Sequence, residues 1–167
     1  MIFPKCCGNE KDGAPGRDVE TIEIERAKGS CGLCEDYAAR QQSKPVAVAC
    51  CEGACLRGEI ARRVANHLCY ALAPERTARI CLGGAFTKDT GQRNLVRQAP
   101  RLLVLEGCPV NCASRMLNGV IPGLQSEVIN VDRLCDFDKH LFGMDEMPSA
   151  EIDALARAVA QQLAARL

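Results

Sequence analysis

The chain has 167 residues, 47% of them apolar, and its Lys+Arg and Asp+Glu counts are equal at 21 each. That length and apolar content suit one globular domain with a core and a short appendage, and they exclude a disordered chain. With no basic excess to neutralise phosphates, neither nucleic acid nor an anionic membrane is expected as a partner.

The start, Met1-Ile-Phe-Pro-Lys-Cys-Cys-Gly8, has no basic region leading into an apolar run, so it does not read as a signal peptide. No stretch reaches the length of a membrane-spanning helix either, and the chain is expected in the cytoplasm. Thiols are held reduced there, so twelve cysteines are not expected to form a disulfide framework. Residues 1–44 read as a cysteine-rich appendage and linker. They carry Cys6-Cys7, a polar loop from Asn9 to Arg17, an alternating stretch Val19–Glu25 that predicts a strand, and a tight turn with Cys31-Gly-Leu-Cys34. Arg40 to Pro45 is polar and reads as the linker.

From residue 45 to 167 short apolar runs alternate with helical periodicity. Val46–Ala49 predicts a buried strand, and Gly58–Leu72 a helix with Ile60, Val64, Leu68 and Leu72 on one face. A second strand is expected at Ala78–Leu82, ended by a Gly83-Gly84 turn, then a helix near Gln92–Gln98. Leu102–Glu106 predicts a third strand followed by a short helix ending near Gly119, and Glu127–Val131 a fourth strand. Ser149 reads as the N-cap of a last helix with Ile152, Leu155, Val159 and Leu163 as its buried stripe. Strands alternating with helices imply an α/β fold, Rossmann-like or flavodoxin-like, with a small parallel sheet of about four strands. Ligand sites in such sheets form at the C-terminal edge of the strands.

On this reading Cys50, Cys51 and Cys55 follow the first strand, Cys81 ends the second, and Cys108 and Cys112 follow the third. Thiols remote in sequence therefore converge at one sheet edge. Clustered thiolates repel one another and need a cation. Four cysteines at roughly 2.3 Å from Zn²⁺ satisfy that need, and an iron–sulfur cluster takes the same ligands. Cys6, Cys7, Cys31 and Cys34 could hold a second metal, although Cys31 and Cys34 also fit a redox dithiol. His67 reads as an ordinary helix residue, His140 as a polar loop residue, Cys69 as core, and Cys135 as a peripheral thiol. No Ser/His/Asp, Cys/His or paired-carboxylate arrangement is legible, so the chain does not read as an enzyme.

Three segments resemble the DGC-domain family, cysteine-rich proteins to which zinc binding is attributed. They are Cys51-Glu-Gly-Ala-Cys-Leu-Arg-Gly58-Glu-Ile-Ala, Ile80-Cys81-Leu-Gly83-Gly84, and Leu105-Glu-Gly-Cys108-Pro-Val-Asn-Cys112-Ala, and the resemblance covers about residues 45–135. It implies Cys51, Cys81, Cys108 and Cys112 as a shared ligand set. The family's two aspartates in the third segment are Glu106 and Asn111 here, and Cys50 and Cys55 are additional thiols. The expected function is a zinc-thiolate protein for metal binding, delivery or sensing, working with a redox or metalloprotein partner. An iron–sulfur protein and a thiol–disulfide oxidoreductase using Cys31 and Cys34 are the alternatives.

Overall fold

The computed structural model describes residues 18–25, 31–87 and 91–167. Four strands, β1 (Val46–Cys50), β2 (Thr77–Arg79), β3 (Arg101–Glu106) and β4 (Glu127–Asn130), pair in parallel in the order β2-β1-β3-β4. Parallel neighbours require long crossovers, which helices supply. These helices are α1 (Gly32–Gln41), α2 (Leu56–His67), α3 (Leu82–Thr87), α4 (Gln92–Gln98), α5 (Cys112–Val120) and α6 (Ser149–Ala164). The fold is therefore α/β with an all-parallel sheet.

Both sheet faces are covered, as the near-continuous apolar runs of β1 and β3 require. Val46, Val48 and Cys50 of β1, with Leu103 and Leu105 of β3, pack under α2 and α6. The alternate residues Ala47, Ala49, Leu102 and Val104 pack on the other side, with Ile80, Leu95 and Leu117. Small alanines in β1 face that side, which lets α3, α4 and α5 approach closely. Leu103 and Leu105 are almost wholly buried, and each contributes roughly 1.5–3 kcal/mol by leaving water.

Several expectations are corrected. Val19–Glu25 has no regular secondary structure, and Val19 and Ile22 are exposed; alternation alone cannot make a strand without a neighbour to bond to. The segment read as a turn and linker is largely helix α1, which packs on α4 and buries Ala38 in the core. Gly83 and Gly84 do not form a turn but lie in the first turn of α3. The second helix starts two residues earlier than expected, and Leu68–Leu72 widens into a π-helical turn closed by the Ala73 N–H on the Leu68 carbonyl. Pro148 caps α6, while Ser149 accepts hydrogen bonds from Arg63 instead. No helix among the described residues is long and apolar enough to cross a membrane.

Candidate metal centre

The sheet reverses its winding between β1 and β3. The chain leaves β1 towards β2 on one side, and leaves β3 towards β4 on the other. Loops at such a switch point diverge and leave a crevice. The two loops here are Cys51–Cys55 and Gly107–Asn111, so each wall of the crevice carries cysteine.

Gly107 and Gly58 permit two close backbone contacts here. A Cβ on Gly107 would lie 2.6 Å from the Arg57 carbonyl carbon and oxygen, and one on Gly58 would fall on the Gly53 carbonyl. Only the absence of side chains lets the β3 loop pack on the first turn of α2. The Cys51 N–H donates to the Leu105 carbonyl at 2.8 Å, continuing the ladder one residue past β1. The Cys51 sulfur then accepts from the Gly53 N–H at 3.4 Å. Burial raises the Cys51 thiol, the Gly53 and Gly107 amides pull the other way, and Glu106 and Cys112 raise it further. The Cys112 thiol is raised by partial desolvation first, then by Cys108 and Glu106, with Arg115 opposing. Cys112 thus lies within electrostatic reach of Cys51 on the facing wall and of Cys108 on its own, and Glu106 acts on both Cys51 and Cys112.

Glu106 organises this corner. It is wholly buried at the end of β3 and accepts the α5 backbone N–H groups of Ala113 at 3.3 Å and Ser114 at 2.7 Å. Asn111, at the capping position, has φ 55° and makes no side-chain cap bond, so the carboxylate from the strand does that work. In the sequence Glu106 stands out only as a departure from the family pattern. The signal that could have found it is an acid ending an otherwise apolar strand.

The other cysteines are placed as follows. Cys81 is exposed just before α3, accepts from the Gly84 N–H at 3.4 Å, and donates its own N–H to Gln92 at 3.0 Å. Helix α3 packs beside α5, so Cys81 and Cys112 begin neighbouring helices. Cys81 also lines a cleft of about 400 Å³ with Tyr37, Glu52, Asn66, Arg79 and Gln92. Burial beside Tyr70 pushes the Tyr37 hydroxyl up to about 12, and that hydroxyl donates to the Arg79 carbonyl at 2.8 Å. Cys55 caps α2. Cys50 turns away from the crevice: its buried sulfur lies 2.9 Å from the Arg79 guanidinium, which also pairs with Glu52 at 2.7 Å. Burial raises the Cys50 thiol strongly despite Arg79. The charge of Arg79 inside a strand was the unread sign of this arrangement. Cys31 caps α1, and Cys34, one turn on, packs against Gly91. Cys6 and Cys7 lie outside the described residues. Cys69 and Cys135 are buried in the core. His67 pairs with Asp153 at 2.7 Å, and the exposed His140 donates its backbone N–H to Asp138.

Among the described residues, no three Cys, His, Asp or Glu side chains already stand close enough together to hold a metal ion. The donor chemistry nonetheless suits a thiophilic cation: thiols from two facing loops, a fully buried carboxylate beside them, and Arg115 as the cationic side chain opposing the shift at Cys112. A bound cation would add to the positive charge that Arg115 already brings to this corner.

The fold and crevice define an α/β protein with a thiol-lined switch point. The family model of the DGC domain matches residues 47–159, and the chain belongs to that family. No curated protein and no solved structure matches it.

Proposed function

We propose that the chain is a metal-thiolate protein that takes zinc as cargo through Cys51, Cys81, Cys108 and Cys112, for delivery or sensing. The observation that carries this reading is that the β1 loop with Cys51 and the β3 loop with Cys108 and Cys112 pack face to face at the switch point beside the buried Glu106. Neutral thiols can stand there, but ionised ones need a cation. Zinc supplies a closed-shell Lewis acid with no redox chemistry, so the chain's own task is to hold, orient and release it. Glu106 fixes the start of α5 and with it Cys112; Gly107 lets its loop pack on the first turn of α2, and Gly58 lets the Cys51–Cys55 loop fold back onto that turn.

The test is metal analysis of protein purified without oxygen, with its absorption spectrum. About one zinc per chain and no broad band near about 400 nm supports the proposal, while iron, sulfide and that band replace it with an iron–sulfur centre.

A second reading, a thiol–disulfide oxidoreductase, has one specific observation in its favour. Cys31 and Cys34 occupy the N-cap and the first turn of α1, outside the family match, and Cys31 is exposed. A Cys-x-x-Cys pair at a helix start is placed to close into a disulfide and open again. Reduction of a small-molecule disulfide that is lost in Cys31→Ser would establish it.

A further inference from the structure

The two walls of the crevice are built alike. In the first, Cys51 follows β1 and Cys55, four residues on, caps α2. In the second, Cys108 follows β3 and Cys112, four residues on, opens α5. Each loop therefore offers one thiol at a strand end and one at a helix start. The loops stand side by side because β1 and β3 are paired and Gly107 packs on the first turn of α2.

Within the first loop, Gly53 sits between the two sulfurs. A Cβ there would lie 3.3 Å from the Cys51 sulfur and 3.8 Å from the Cys55 sulfur, so both sulfurs flank the same side of Gly53. Gly53 has none of the positive φ that would demand glycine, and its side of the loop is left open for the two thiols. Cys55 makes no side-chain cap bond to α2, although it holds the cap position, and it is half-buried rather than packed away. Its sulfur has no structural duty in the helix.

Resting on the proposed function, we infer that Cys55 belongs to the same centre as an extra thiol and serves as the exchange ligand through which zinc enters and leaves. Four thiolates complete a tetrahedral zinc site, so a fifth adjacent thiol cannot add to a closed shell. It can replace one. In the exchange the Cys55 sulfur gives up its proton to solvent and bonds to zinc, one of the four zinc–sulfur bonds breaks, and the released thiolate takes up a proton. No electrons move, and the net charge of the centre is unchanged. The released position is then open to a thiol or imidazole of an acceptor.

The experiment compares the wild-type chain with Cys55→Ser. Serine is a better helix N-cap than cysteine, so the variant keeps α2. First, the metal-free protein is treated with a short thiol-bridging bimane reagent, and the bridged cysteines are mapped by mass spectrometry. At alkaline pH, where the buried Cys51 thiol also ionises, a Cys51–Cys55 bridge is expected, and its absence under conditions that label both thiols singly overturns the inference without reference to metal. Second, zinc-loaded protein is mixed with a chromogenic zinc chelator and the transfer followed in time. Cys55→Ser is expected to hold the same zinc per chain but release it about tenfold more slowly, in the range that groups around a metal site command. Unchanged release, or loss of zinc from the variant, overturns the exchange role alone. A wild-type chain that takes up no zinc overturns the proposed function and the exchange role with it, while the bimane result still reports whether Cys55 stands with Cys51.

Discussion

Glu106 accepts the Ser114 N–H at 2.7 Å from a position with no exposure to solvent, joining the end of β3 to the start of α5. Buried carboxylates are costly unless their lone pairs are used, and here they are used on helix amides that would otherwise be orphaned. Glu106→Ala should therefore cost about 2 kcal/mol, since it removes a cap and leaves two buried N–H groups unpaired. Urea unfolding would measure the loss. Glu106→Asp should fall between wild type and Glu106→Ala, because it keeps a carboxyl acceptor but retreats by one methylene. A neutral Ala variant would show that Asn111 can take over the cap.

The glycines give predictions of opposite sign. Gly107→Ala places a methyl 2.6 Å from the Arg57 carbonyl, and backbone cannot yield as a side-chain end would. It should destabilise by about 3 kcal/mol, the upper end for overpacking, and spread the two crevice loops. At Gly83, inside α3, an added methyl group would meet nothing within 4 Å, so Gly83→Ala should be neutral or stabilise by up to about 1 kcal/mol through helix propensity. Thermal melts of the pair decide this, and equal effects would mean the loop contact is not close.

Much of this architecture was legible in the sequence, and the reasons are particular. Val46–Cys50 and Arg101–Glu106 sit at the centre of the sheet, buried on both faces, so their apolar runs stand out. The cysteines that follow them were placed at the correct edge for that reason. Helix α1 was hidden because it buries only Ala38, which leaves no apolar stripe to read. Helix α3 was hidden by its paired glycines, which look like a turn, although at Gly84 a side chain would crowd Cys81 and Gln92. The contacts of Arg79 with Cys50 and of Glu106 with α5 span 29 residues and up to 8 residues of chain, and only the folded sheet brings their partners in.

Acid should expose the role of Glu59. It is buried on α2 and bonds Arg62 and Arg63, each at 2.7 Å, which holds its carboxyl below the usual 4.5. A depressed folded value means stability that is present above 4.5 and lost as pH falls through the folded value. Glu59→Gln should thus lower stability at about pH 6 and flatten its decline below pH 4.5, with wild type and variant converging in strong acid. Unfolding midpoints across that range would show it. A constant gap at every pH would assign the effect to packing instead.

The thiols should separate by reactivity. The thiolate is the attacking form, so burial that both hides a sulfur and raises its proton affinity suppresses alkylation twice over. Cys50, Cys69 and Cys135 are buried and their thiols are raised mainly by that burial. They should resist iodoacetamide at neutral pH until the chain unfolds. Cys31, Cys81 and Cys112 are exposed and should react first in metal-free protein, with Cys34, Cys55 and Cys108 following. Adding zinc should then protect Cys81 and Cys112 while leaving Cys31 reactive, because only the first two belong to the proposed centre. Peptide mass spectrometry after timed labelling reads every site in one experiment. Protection of Cys31 together with Cys81 and Cys112 would extend the centre to α1, and no protection at Cys81 would remove that residue from the ligand set.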